Sequence, residues 1–118
     1  MNIEEFRTYC LSKKGVTEEF PFDEVTLVFK VMNKMFALSK LDRIPFQCNL
    51  KCDPDRALAL REEFTDIQPG YHMSKKHWNT IVVSPALPHK LLPDLIDHSY
   101  QLVVDKLTKT QKETLKKL

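Results

Sequence analysis

The residue types that most invite a chemical reading are Asp97-His98-Ser99, which in another arrangement are an acid, a base and a nucleophile. Consecutive positions on a helix point about 100° apart, so three neighbours cannot share one hydrogen-bonded line, and no triad is expected. Asp94 and His98 stand one helical turn apart but have no third ligand placed with them, so no metal is expected. Cys10, Cys48 and Cys52 are odd in number and contain no C-x-x-C pair; reduced, inert thiols follow. With Gly15 and Gly70 as the only glycines there is no phosphate-cradling loop, hence no nucleotide cofactor. No catalytic residue is assigned. The remaining concentration of chemistry is Pro69-Gly70-Tyr71-His72-Met73-Ser74-Lys75-Lys76-His77-Trp78-Asn79-Thr80, with cations and aromatics side by side. Two readings compete there. Tyr71 and Trp78 close the edge of a core while the lysines are solvated, or Lys75, Lys76, His77 and Trp78 form a contact surface, cations for phosphates and an aromatic for stacking.

These residues need elements to position them. Asn2 with Glu5 forms a capping pair, and the spacing predicts a helix over 2–14 that stops at Gly15. After an acidic connector, Thr17 to Glu24, the period becomes two: Val25, Leu27, Phe29 and Val31 alternate with Thr26, Val28, Lys30 and Met32. A turn at Asn33-Lys34 returns the chain as Met35 to Leu41, pairing Val31 with Phe36 and Phe29 with Leu38. Asp42-Arg43-Ile44-Pro45 turns it again into a third strand with Cys48, Leu50 and Cys52 facing the core. Asp53-Pro54 opens a helix to Phe64, with Leu58 and Leu60 or Ala57 inward. A loop over 66–76 leads to a fourth strand, 78–83. A long helix is predicted from Leu92, with Pro93 awkward in it, and Thr108 with Gln111 caps a short last helix over 109–118.

Helices on one side of four antiparallel strands would leave the other side open, showing Thr26, Val28, Lys30, Ala37, Ser39, Gln47, Asn49 and Lys51, with Trp78, Thr80 and Val82 beside them. A chain of 118 residues with 42% apolar and 29% charged side chains forms one domain, 1–118. No apolar run reaches the roughly 18 residues of a membrane span, and the acidic N-terminus is unlike a signal peptide, so a cytoplasmic protein is expected. The net charge of +2 is small but segregated: residues 25–52 hold five bases and one acid, and 67–90 hold three bases and no acid.

The helix ending in Lys14-Gly15, the Phe36-Ala37-Leu38 strand, the Pro69 to Thr80 stretch and Leu95-Ile96-Asp97-His98-Ser99-Tyr100 together resemble the MmcQ/YjbR family of small bacterial proteins. The resemblance spans essentially the whole chain. It implies a two-layer α+β fold, an antiparallel sheet with helices on one face, similar to frataxin-like or secretion-chaperone-like domains. It also implies DNA binding through a double-wing motif; members are associated by name with mitomycin resistance. The leading expectation is therefore sequence-tolerant contact with double-stranded DNA through Lys30, Lys34, Lys40, Arg43, Lys75, Lys76, His77 and Trp78, supported by the charge segregation. The alternative is a protein-interaction module using the open sheet face or a sheet edge.

Overall fold

The structure is a computed structural model, and it describes residues 1–70 and 73–118. The expectations for Tyr71 and His72 lie outside the described residues. Helix α1 (Ile3–Leu11) is followed by β1 (Val16–Glu19), β2 (Thr26–Val31), β3 (Lys34–Lys40) and β4 (Gln47–Lys51). Then come α2 (Pro54–Glu63), β5 (Ile67–Pro69), β6 (Trp78–Val82), α3 (Leu91–Asp105) and α4 (Lys109–Lys116). The strands form one antiparallel sheet in the order β1-β2-β3-β4-β6-β5. The two-layer α+β fold stands, with six strands in place of four. Val16-Thr17-Glu18-Glu19 is a strand because Arg7 takes up Glu18 and Lys30 takes up Glu19, so an acidic stretch sits at the sheet edge without repulsion.

The helix caps follow from their residues. Asn2 and Thr108 each close a capping box, with Glu5 and Gln111 respectively, and the Asp53 side chain accepts from Arg56 N. Pro93 falls in the first turn of α3, where backbone N–H groups have no intrahelical acceptor to lose, so the helix begins at Leu91 without disruption. Helix α1 ends at Leu11 with Ser12 as its C-cap, short of the predicted stop. Gly15, at φ +74°, instead turns the chain into β1, and a Cβ there would strike Leu115 Cδ1 at 2.5 Å, so this turn also seats α4. On α2 it is Ala57 and Leu60 that are buried, while Leu58 is exposed.

One face of the sheet carries the helices. Leu27, Phe29, Val31, Leu50, Cys48 and Ile81 pack there against Phe6 and Cys10 of α1 and against Leu95, Ile96 and Val103 of α3. Burial pushes the Cys48 thiol well above its ordinary value, as expected of an inert core cysteine.

The β2–β3 register differs from the predicted one in two ways. Met32 and Asn33, at φ 48° and 65°, are the central residues of the turn, so Val31 pairs with Lys34 rather than with Phe36. A bulge then places Met35 opposite Lys30 and Ala37 opposite Phe29, leaving Phe36 as the extra residue. Beyond the bulge the parity of β3 is inverted relative to simple alternation. Ala37 and Ser39 therefore lie on the helix side, opposite Phe29 and Leu27, and Leu38 and Lys40 lie on the helix-free side with Val28 and Thr26.

The carbonyl of Phe36 accepts a hydrogen bond from Ser99 Oγ at 2.5 Å, and the same Oγ accepts from Lys51 N at 2.9 Å. Ser99 is fully buried, so its hydroxyl joins α3 to β3 and β4 at the bulge. Ser99→Ala leaves a buried carbonyl unpartnered and is expected to cost about 1–3 kcal/mol in a denaturant melt. Ser12→Ala, at an exposed hydroxyl, is expected to cost about 0.5 kcal/mol or less; equal losses would contradict the assignment.

Candidate binding surface on the helix-free face

The three residues with triad chemistry each bond different partners, and none bonds another of the three. The Asp97 carboxylate accepts from Tyr9 Oη at 2.7 Å and holds the Lys13 ammonium. Burial works to raise its pKa, but those two donors outweigh it and keep the group below its ordinary value. The same bond to Asp97, aided by burial, pushes the Tyr9 hydroxyl up to about 12. His98 Nε2 accepts from Asp53 N at 3.1 Å, which ties α3 to the start of α2 in the neutral form of the ring. Burial, with Arg56 nearby, lowers the His98 pKa to match. Ser99 holds the bulge. Asp94 bonds Arg56 at 2.5 Å instead of joining His98. The signature thus closes the seams between α3 and its neighbours.

The basic residues singled out in the sequence do not form one surface. Because β2 and β3 run in opposite directions, the β2–β3 turn with Lys34 and the loop with Lys75, Lys76 and His77 lie at one end of the sheet, beside Lys51 and Trp78. Lys40 and Arg43 lie at the other end, six or more residues along β3, which is about 20 Å at the usual strand rise. Lys30 is paired with Glu19 at 2.5 Å, and Arg43 lies 4.0 Å from Asp42. The first end gains two lysines that the sequence reading missed. Lys51 is held below its ordinary pKa chiefly by burial and then by the charges of Lys106 and Lys34. The signal for Lys51 was its strand position; nothing in the sequence marks Lys106, which reaches this end only because α3 crosses β3 and β4.

Trp78 does share a face with Lys51, Asn49 and Thr80, as alternation predicts, but that face is not open there. Trp78 is only 8% exposed. The loop before β6 folds back on it: Gly70 N donates to Trp78 O at 2.8 Å, Trp78 N donates to Ser74 O at 2.9 Å, and a Cβ on Gly70 would fall 2.8 Å from Trp78 Cβ. Glycine is required by this close approach. Arg61 of α2 secures the loop, donating from Nε to Asn79 Oδ1 at 2.6 Å and from Nη2 to the carbonyls of Lys75 and Trp78. His77 is half-buried and lends its carbonyl to Cys52 N, which extends the β4–β6 ladder. Thr26, Val28, Leu38 and Thr80 are also buried, so loops cover much of the helix-free face.

Between those loops a cavity of about 420 Å³ remains. Phe22 and Asp23 from the β1–β2 loop form one wall, Met73 and Ser74 the other, and Leu38, Met35 and Asn49 the floor. The β3–β4 ladder ends at Leu38 and Asn49, and Ser39 Oγ donates to Gln47 O at 2.8 Å, so the two strands splay beneath the cavity. Asp23 folds its loop: Oδ1 accepts from Val25 N at 2.9 Å and Thr26 N at 2.7 Å, and those bonds hold its carboxyl below the usual range.

At the same end of the sheet as Phe22, large apolar side chains face solvent. Phe20, Phe22, Val25, Leu41 and Ile44 are 48%, 65%, 37%, 45% and 99% exposed. They come from two loops joined by the Leu41 N–H, which donates to Val25 O at 2.7 Å. Phe20 and Leu41 also line a shallow hollow of about 520 Å³ with Ile3 and Leu27.

A six-stranded antiparallel sheet with helices on one face and a recessed, partly apolar opposite face defines a small α+β domain with two candidate surfaces for binding. The YjbR family model matches residues 11–102, and the chain belongs to that family. It is 41% identical over 98 residues to the protein YbdF of Escherichia coli O157:H7, covering 82% of this chain and 80% of that one. It is 31% identical to YjbR of Escherichia coli K12 over the full length of both. Among solved structures, a Deinococcus radiodurans protein with a DUF419 domain superposes with a TM-score of 0.91 at 39% identity, covering 97% of this chain and 87% of that one. A Pseudomonas syringae protein gives 0.73 at 28% identity, with 86% and 98% covered. No helix among the described residues is long and apolar enough to cross a membrane.

The burial of Trp78 generates a direct check. Trp78→Ala is expected to cost about 3–5 kcal/mol in a denaturant melt, as for a buried aromatic. A loss below about 1.5 kcal/mol would restore it to the surface.

Proposed function

We propose that this chain is a protein-interaction module whose docking surface is the apolar end of the sheet formed by the β1–β2 and β3–β4 loops. The observation that carries this reading is the grouping of solvent-exposed Phe20, Phe22, Val25, Leu41 and Ile44. They are five of the seven exposed large hydrophobics among the described residues, and they come from two adjacent loops. Scattered exposed apolar residues are ordinary, but a contiguous group rimmed by charge marks a surface that another protein covers. Here the rim is Asp23, Lys40, Asp42 and Arg43, of mixed sign, which suits the polar border of an interface around an apolar centre. The neutralised and divided basic residues support this reading over a single phosphate-binding face.

A second reading, duplex DNA binding, is favoured by one observation at the opposite end. Lys34, Lys51, Lys75, Lys76 and Lys106 form no ion pair among the described residues, and Lys51 feels the charges of Lys106 and Lys34. In this reading the β2–β3 turn and the loop before β6 are the wings.

The two readings separate cleanly by experiment. A photoreactive amino acid placed at Ile44 in cells is expected to give discrete cross-linked protein species, whereas the same group at Leu58, exposed on α2, gives none. Equal labelling from both positions, or none from position 44, contradicts the interaction module. Titration with duplex DNA supplies the other arm. Four lysine–phosphate contacts would give a slope of log affinity on log salt of about −3.6, reduced by about 0.9 in Lys34→Ala or Lys75→Ala. That result would put the DNA reading first.

A further inference from the structure

The cavity between the Phe22 and Met73 walls has features that an interface for a second protein does not need. Its volume, about 420 Å³, lies within the roughly 300–1,000 Å³ typical of small-molecule sites. Its surface is mostly apolar, from Phe22, Met35, Leu38 and Met73, with a few polar groups converging on it.

Those polar groups are donors whose capacity is unspent. Thr80 Oγ1 lies 2.5 Å from Asn49 Oδ1, so the amide is oriented with its Nδ2 toward Met73 Sδ at 3.5 Å. A thioether sulfur can only accept, which confirms that the NH₂ group faces it, and it accepts weakly. A ligand oxygen at that point would be a far better partner. The side-chain amide of Gln47, on the same floor, makes no hydrogen bond among the described residues, and Lys40 makes no ion pair there. The one carboxylate on the lining, Asp23, is bonded through Oδ1 to two backbone N–H groups and through Oδ2 to the Thr26 hydroxyl. It feels the Lys40 charge but forms no ion pair with it, so the ammonium keeps room for a second anion. The cavity thus combines an apolar body with amide donors and a cation.

We propose that this cavity is a binding site for a small, predominantly apolar monocarboxylate. Its hydrocarbon part lies between Phe22, Met35, Leu38 and Met73, and its carboxylate is held by Lys40 and the amides of Gln47 and Asn49. An anion fits the donors because it accepts from all three, whereas a neutral hydrocarbon would leave them desolvated and unpaired. This site shares Phe22, Asp23 and Lys40 with the proposed docking surface and its border, but Ile44 is not part of its lining and its test reads small-molecule binding, so its failure would leave the cross-linking result untouched.

The test uses the intact chain and two probes, the fluorescent apolar anion 8-anilinonaphthalene-1-sulfonate and decanoate. Saturable one-to-one fluorescence enhancement is expected, with decanoate displacing the dye and decanol displacing it about tenfold less well. Lys40→Glu is expected to weaken decanoate by about tenfold or more, while Arg43→Glu, an equal charge change in the neighbouring turn, changes it less than about twofold. Met35→Trp, which fills the cavity from its floor, is expected to abolish binding while thermal melts show the domain still folded. Should Met35→Trp fail to fold, the contrast between Lys40→Glu and Arg43→Glu decides alone. Absence of saturable binding at millimolar decanoate, equal affinity for decanol, equal effects of the two charge reversals, or binding that survives Met35→Trp would each overturn the proposal.

Discussion

The Ser99 hydroxyl donates to the carbonyl of Phe36 and accepts from the backbone N–H of Lys51, and it does so while fully buried. Phe36 is the extra residue of the β3 bulge, so its backbone lacks a regular ladder position, and a buried peptide group without a partner would be unfavourable. Helix α3 supplies that partner. The contact therefore fixes three things at once: where the bulge sits, how α3 lies across the sheet, and which face each later residue of β3 occupies.

The binding surfaces follow from that last consequence. Strict alternation from Phe36 would have turned Leu38 toward the helices and Ala37 and Ser39 toward the other side. With the bulge, Leu38 floors the helix-free cavity and Lys40 reaches its rim, while Ser39 ties itself to Gln47 O and lets β3 and β4 part. The neighbouring residues of the signature do comparable work on the other side of α3. Asp97 gathers Tyr9 and Lys13 from α1, and His98 accepts from the N-cap residue of α2. A stretch with the composition of a catalytic triad is thereby explained as a set of joints, leaving recognition to the far face and the sheet ends.

Much of the architecture was legible in the residues. Capping pairs at Asn2 and Thr108 and the Asp53-Pro54 step located three helices, and period-two alternation placed β2 and β4 correctly, with Cys48 and Cys52 inward. The edge strands escaped because their signals are weak. Val16 to Glu19 is acidic and needs Arg7 and Lys30 from elsewhere to settle it, and Ile67 to Pro69 is three residues ending in proline. The bulge left no mark in the sequence, since both Phe36 and Ala37 suit a core position. Trp78 shows a different limit. Alternation identified its face, but its burial depends on the loop that Gly70 and Arg61 hold over it, a tertiary contact that parity cannot report. The same holds for the basic residues, whose segregation in sequence becomes division in space once β3 reverses the chain.

The inverted parity of β3 is the claim on which the cavity and the account of α3 both rest, and nuclear Overhauser effects from the Leu38 methyl groups test it most directly. Directly opposed residues on one face of an antiparallel pair have Cβ atoms about 4.5–5.5 Å apart, well within range. The structure pairs Leu38 with Val28 and Asn49 on the helix-free face. Cross-peaks from the Leu38 methyls to the Asn49 side-chain amide and the Val28 methyls, with none to Leu95 or Ile96 of α3, are the predicted result. Cross-peaks to Leu95 or Ile96 in place of those to Asn49 would contradict it, returning Leu38 to the helix side and removing the floor of the cavity.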